Sequence, residues 1–180
     1  AIIMANHQSY LDPPLMMAVC KRPIRFLGKH SLFYYPVFGW ALWATGHIPI
    51  NRGVREKAFK SIDRAAEAIA KGKTVLIFPE GTRSRVQGIA PFKKGGFVLA
   101  IKSGVPIVPV GIAGTKEILP PGWSLLAPGA VQVVIGDPIE MTGYTLETKE
   151  ALMEKVKGAI VKARDQAKVL SESYSADLNN

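Results

Sequence analysis

Six short apolar runs punctuate the chain: Ala1–Ala5, Ile24–Leu27, Ile48–Ile50, Thr74–Phe78, Val105–Ile112 and Val131–Ile135. They are short, favour β-forming residues and are bounded by Gly, Pro or Asn, which predicts strands. Several lack a polar alternation, the pattern of strands buried on both faces. Between them the period changes to that of helices. Pro13-Pro14 opens one that runs to about Cys20, with Asp12 just before it at an N-cap position. Arg55–Lys71 places Ala58, Ile62, Ala65 and Ile69 on one face and stops at Gly72. Gly96–Lys102 is a short apolar helix closed by Gly104, and Leu146–Leu170 carries Leu152, Val156, Ile160 and Ala163 in one stripe.

Alternating strands and helices predict an α/β fold: one domain over residues 1–170, with a mainly parallel, mixed sheet flanked by helices. Residues 171–180 read as a polar, frayed tail. The two prolines in Val105–Ile112 each remove a ladder donor, which points to a strand near an edge or beside a bend. The segment Leu32–Trp43 holds six of the fifteen aromatic residues. It is too short to span a bilayer, and core, acyl-pocket wall and interfacial patch are all compatible with it.

Charge narrows the picture. The net charge is +9, and residues 1–102 carry 16 Lys and Arg against 5 Asp and Glu, whereas residues 103–180 carry 7 against 9. A basic front implies an anionic partner there: nucleic acid, a phosphorylated small molecule or an acidic membrane. The cations fall at strand ends without the interleaved aromatics of a base-stacking platform, which argues against nucleic acid. One cysteine, Cys20, excludes an internal disulfide and makes a reducing compartment the default. No apolar run reaches the ~20 residues of a membrane span. The opening at Ala1, directly in an apolar run, suggests a piece of a longer chain.

Two motifs at strand ends carry candidate chemistry. In Asn6-His7-Gln8-Ser9-Tyr10-Leu11-Asp12, a turn would let Asp12 fix the tautomer of His7 and leave the other ring nitrogen free to take a proton. A plain helix cap at Asp12 and an ordinary loop histidine at His7 account for this segment as well. In Phe78-Pro79-Glu80-Gly81-Thr82-Arg83-Ser84, Gly81 permits close approach, Thr82 and Ser84 offer hydroxyls, and Arg83 and Arg85 offer guanidinium forks for phosphate. Glu80 could order this loop or hold a substrate hydroxyl. Arg52 and Lys29 end two further strands, and either could be a surface charge. The chain has no Gly-x-Ser-x-Gly elbow, no Walker-type loop and no metal-ligand spacing among its three histidines.

The ordered set NHQSYLD, GKHSLFYYPVFGW, GHIPINR, FPEGTRS and VPIVPV resembles the glycerolipid acyltransferase family over residues 1 to about 140, in the manner of its bacterial 1-acyl-glycerol-3-phosphate acyltransferases. The resemblance implies transfer of a fatty acyl group from acyl-CoA or acyl carrier protein to the free hydroxyl of a lysophospholipid, giving phosphatidic acid. It places the catalytic pair on His7 and Asp12 and substrate contacts on Lys29, Arg52, Glu80, Gly81, Thr82, Arg83 and Ser84. It implies no cofactor beyond the thioester co-substrate and no metal. It also implies peripheral contact with an anionic membrane on its cytoplasmic face, or anchoring by an N-terminal helical segment absent from this sequence. Another lysophospholipid or a lyso-aminolipid as acceptor, and a non-catalytic phospholipid-binding module, are the competing readings.

Overall fold

The computed structural model describes residues 1–51, 55–84, 88–120 and 126–178. Six strands form one sheet: β1 (Ile2–Ala5), β2 (Ile24–Lys29), β3 (Ile48–Ile50), β4 (Thr74–Ile77), β5 (Ile107–Ala113) and β6 (Gln132–Ile135), in the spatial order β3-β2-β4-β1-β5-β6. The first five run parallel and β6 runs antiparallel to β5. The helices are α1 (Asp12–Val19), α2 (Phe38–Ala44), α3 (Arg55–Ala70), α4 (Gly95–Ser103), α5 (Thr115–Ile118) and α6 (Lys149–Leu178), and a 3-10 helix covers His30–Tyr34. The mixed, mainly parallel α/β sheet read from the sequence is the sheet observed.

Two layers of apolar side chains explain the unalternated strands. On one face Ile2, Met4, Val75 and Ile107 pack against Ala65 and Ile69 of α3, Phe97 and Ala100 of α4, and Leu152, Val156 and Ile160 of α6. On the other, Ile3, Ala5, Leu76, Val110 and Ile112 pack around Met16 of α1. Burial on both sides removes any reason for a polar residue at alternate positions. The backbone of α6 lies directly on β5: a Cβ on Gly111 would fall 2.0 Å from the Arg164 nitrogen.

One expectation changes and two are narrowed. β5 lies near the edge, as its prolines suggested, second from it. Pro106 precedes the strand, and Pro109 lies just where β6 has ended and Gly136 N–H donates to the Pro109 carbonyl (2.8 Å), so neither ring interrupts the β5–β6 ladder. α6 does not fray at Leu170. It runs to Leu178, because the buried stripe continues through Ala167 to Ser171, whose hydroxyl donates to the Ala130 carbonyl (2.9 Å). The aromatic segment is largely not core. Phe33 and Gly39 are buried, whereas Tyr34, Tyr35, Val37, Phe38, Trp40 and Trp43 are each more than half exposed.

Candidate functional site

β1 ends in the middle of the sheet, between β4 and β5, where the chain order reverses and a crevice opens beyond the strand ends. Asn6 is the first residue past the strand. Its side-chain amide donates to the Ile112 carbonyl (2.9 Å) and accepts from Ile112 N–H (2.8 Å), so the β1–β5 ladder continues through a side chain while the backbone turns away. His7 follows on that turn. Its backbone is held from both sides by the second motif: His7 N–H donates to Glu80 Oε1 (2.8 Å), and Ser84 N–H donates to the His7 carbonyl (2.8 Å). Its ring stacks on Phe78, centroids 4.1 Å apart.

His7 Nδ1 lies 2.8 Å from Asp12 Oδ2. Asp12 is fully buried, and its carboxylate is saturated. Oδ2 also accepts from Gln8 N–H (2.7 Å) and Ser9 N–H (2.9 Å), and Oδ1 accepts from the Thr115 hydroxyl (2.6 Å). Asp12 lies in the first turn of α1 rather than ahead of it, and its carboxylate turns back toward residues 7–9, so the helix-cap explanation fails. An ionised carboxylate only accepts, so it keeps a proton on Nδ1 and leaves the Nε2 lone pair available. The His7 side chain is 16% exposed, and Nε2 has no hydrogen bond among the described residues. This is the arrangement of a general base with an orienting carboxylate.

The Glu80 carboxyl is buried, and both its oxygens are occupied by backbone donors, Oε2 accepting from Ala90 N–H (2.8 Å). Burial pushes this carboxyl above its usual range, partly opposed by those N–H bonds. Of the two roles open to Glu80, its bonds serve the ordering of the loop. Gly81 has φ +76, and the Lys93 side chain passes over it, with Nζ 2.8 Å from where a Cβ would stand. Thr82 is exposed. The Arg83 guanidinium lies over the Tyr10 ring, 3.4 Å from its centroid, and its buried Nη1 has no hydrogen-bond partner among the described residues. Ser84 is buried, its hydroxyl 3.4 Å from the Gly88 carbonyl. Lys29 closes β2, two strands from β1 at the same end of the sheet, exposed and in no ion pair among the described residues. Arg52 and Arg85 lie outside the described residues.

The sequence reading brought His7, Asp12 and residues 80–84 to one place, and the structure joins them through hydrogen bonds. It missed Thr115, Lys93, and the stacking partners Tyr10 and Phe78. Asn6 was visible as a polar residue directly after an apolar strand. Thr115 was not: it meets Asp12 across 103 residues of chain. Among the described residues no group of three His, Cys, Asp or Glu side chains is placed to hold a metal ion, and no helix is long and apolar enough to cross a membrane.

Comparison with known proteins points the same way. Residues 1–113 match the Acyltransferase family model, a span that holds every candidate residue of the two motifs. The chain is 42% identical over 135 residues to a 1-acyl-sn-glycerol-3-phosphate acyltransferase of Chlamydomonas reinhardtii, covering 74% of this chain and 40% of that one. It is 38% identical over 145 residues to the 1-acyl-sn-glycerol-3-phosphate acyltransferase of Escherichia coli, covering 80% and 58%. The chain thus spans between two fifths and three fifths of these curated relatives' lengths. The crystal structure of the 1-acyl-sn-glycerophosphate acyltransferase PlsC from Thermotoga maritima superimposes with a TM-score of 0.76 at 32% identity, over 92% of this chain and 65% of that one. With its motifs, its fold and these matches in agreement, the chain belongs to the acyltransferase family.

Proposed function

We propose that the protein transfers a fatty acyl group from acyl-CoA or acyl carrier protein to the free hydroxyl of 1-acyl-glycerol-3-phosphate, giving phosphatidic acid. The observation that carries this reading is the His7–Asp12 pair: a 2.8 Å contact at a strand end, with Nε2 open and the His7 backbone clamped on both sides. The relatives' names supply the acceptor. The chemistry of Arg83 agrees with it, because Arg83 brings a buried, unpartnered N–H suited to a phosphate oxygen, and on this reading Lys29 and Arg52 would be the further phosphate contacts. On this reading Gly81, Thr82 and Ser84 also serve the acceptor, and Lys93, over Gly81, adds a charge beside them.

His7 Nε2 takes the proton of the glycerol hydroxyl as its oxygen attacks the thioester carbonyl carbon. Asp12 steadies the imidazolium. The tetrahedral intermediate collapses with cleavage of the C–S bond, and His7 returns the proton to the departing thiolate. The reaction calls for no cofactor beyond the thioester co-substrate. The protein works against an anionic membrane on its cytoplasmic face, held peripherally or by a segment outside this sequence, and the exposed aromatic side chains between Tyr34 and Trp43 supply apolar contact with it.

Thiol release from long-chain acyl-CoA, with and without 1-acyl-glycerol-3-phosphate, tests the reading. Release that requires the lysolipid, and is abolished in His7→Ala, supports it. Lipid binding with no release at all would make the protein a membrane-binding module. Release stimulated equally by other lysolipids would move the acceptor.

A further inference from the structure

The end of the sheet remote from His7 carries a second concentration of charge. The turn from α1 into β2 brings Arg22, the start of β2 brings Arg25, and the turn from α3 into β4 brings Lys71 and Lys73. Because β2 and β4 pair in parallel, Ile24 opposite Thr74, the two turns lie side by side. Together with Gly72 and Thr74 they line an open pocket of about 310 Å³. No carboxylate lines it, and none of the four cations is in an ion pair among the described residues. Lys60, Lys94, Lys102, Lys149, Arg164 and Lys168 each have a carboxylate partner, and other cations such as Lys29 stand singly among the described residues, whereas here four gather around one concavity. Four uncompensated positive charges around one concavity raise the local potential and favour an anion.

Arg25 connects this pocket to the aromatic ledge. Its Nε lies 3.0 Å from where a Cβ on Gly46 would stand, and Gly46 (φ +74) closes the α2 segment, Gly46 N–H donating to the Trp43 carbonyl (2.9 Å). Trp43 and Trp40 are 56% and 69% exposed. At the other end of the ledge, Phe38 N–H donates to the Pro36 carbonyl (2.7 Å) across Val37, which has φ 64 and ψ −59. That is the strained form of the γ-turn, unusual for a β-branched residue, and it presents Val37 and Phe38 to solvent rather than to the core. An apolar ledge rich in Trp and Tyr, continuous with a cationic pocket, matches the two layers of a bilayer surface. The aromatic rings suit headgroup depth, and the cations suit lipid phosphate.

We propose that the Arg22, Arg25, Lys71 and Lys73 pocket takes the phosphate of an anionic phospholipid while the α2 ledge lies in the interface of the same bilayer. This is a lipid site separate from the acceptor site at His7. It rests on the membrane contact proposed above and is independent of the acyl-transfer chemistry.

Co-sedimentation with vesicles of phosphatidylcholine alone, or of phosphatidylcholine mixed with phosphatidylglycerol, tests it. The double variant Arg22→Ala/Lys73→Ala should lose roughly thirtyfold in partitioning to the mixed vesicles, from about a factor of five for each cation removed at an anionic surface. Its partitioning to pure phosphatidylcholine should not change, nor should lysolipid-dependent thiol release from detergent-dispersed substrate. A control, Lys155→Ala/Lys162→Ala, removes the same charge from α6 and should cost less than twofold. Equal loss in the control would overturn the pocket in favour of diffuse attraction. Unchanged partitioning of the double variant would overturn it outright. Calorimetric binding of inorganic phosphate without vesicles, lost in the double variant, would reassign the pocket to a soluble anion. Absence of thiol release in the unaltered protein would sink the enzymatic reading and leave the vesicle result to stand or fall by itself.

Discussion

The turn from His7 to Asp12 and the ledge from His30 to Ala44 both follow a β-strand at the same end of the sheet, and they are built in opposite ways. In the turn the groups that aim the base are partnered: Asp12 takes four donors, and the His7 backbone is bonded at both N–H and C=O. In the ledge the large side chains stand in solvent, and the segment is fastened mainly through Phe33, which packs against Trp43 (centroids 5.0 Å), and through His47 just beyond it. The lesson is that a base must be fixed in direction, whereas a surface that meets lipid needs only to be apolar and presented. Rigidity has been concentrated where geometry governs rate.

Substitutions that respect or violate this division test it. The largest effect belongs to His7→Ala, which should cut turnover by about 10²–10⁴-fold, as for loss of a general base, with thermal unfolding little changed. A large fall in melting temperature would mean that the ring mainly packs against Phe78. Next comes Thr115→Val, which leaves Asp12 Oδ1 buried without its donor. About 1–3 kcal/mol of stability should go with it, read by denaturant unfolding. The pH profile of turnover should move while KM for the thioester holds, since only the orientation of the imidazole is disturbed.

A smaller effect is expected where the ledge is tied down. His47 Nδ1 accepts from Phe26 N–H (3.2 Å), and burial, with the nearby Arg25 charge, holds its pKa below the ordinary histidine value. The unfolded chain therefore binds this proton more readily than the native one. Stability from this group is present above the ordinary histidine value of about 6.5 and is lost as pH falls below it toward the depressed native value. In His47→Gln, unfolding measured between pH 5 and 7.5, a span of roughly one to two units around that value, should lose this component of its pH dependence. The smallest change in stability is expected from Trp40→Ser, within about 0.5 kcal/mol of the parent because the indole is mostly solvated. The same variant should lose vesicle binding. A clear drop in stability would place Trp40 in the fold rather than at a lipid surface.

Much of this was legible in the residues. Ile2–Ala5 and Thr74–Ile77 read as buried strands because they are buried, and a five-residue gap closed by Pro13-Pro14 let His7 and Asp12 be paired. The α2 helix was not read, since Phe-Gly-Trp-Ala-Leu-Trp-Ala gives no polar face from which to infer a period. The end of α6 was missed because Ser171 looks polar in a list of residues, yet it extends the stripe of Ala163 and Ala167 by four and spends its hydroxyl on Ala130. The Thr115–Asp12 bond depends on β5 lying beside β1, which no local pattern announces.

Asn6 has one further consequence. By pairing with both backbone groups of Ile112, its amide impersonates one more residue of β1, so the elevation of the imidazole above the sheet is counted in strand register and not set by loop length. Inserting a single residue into β1 would displace the base by ~3.3 Å and turn its side of the chain over. The four residues beneath the crevice are therefore held to one count.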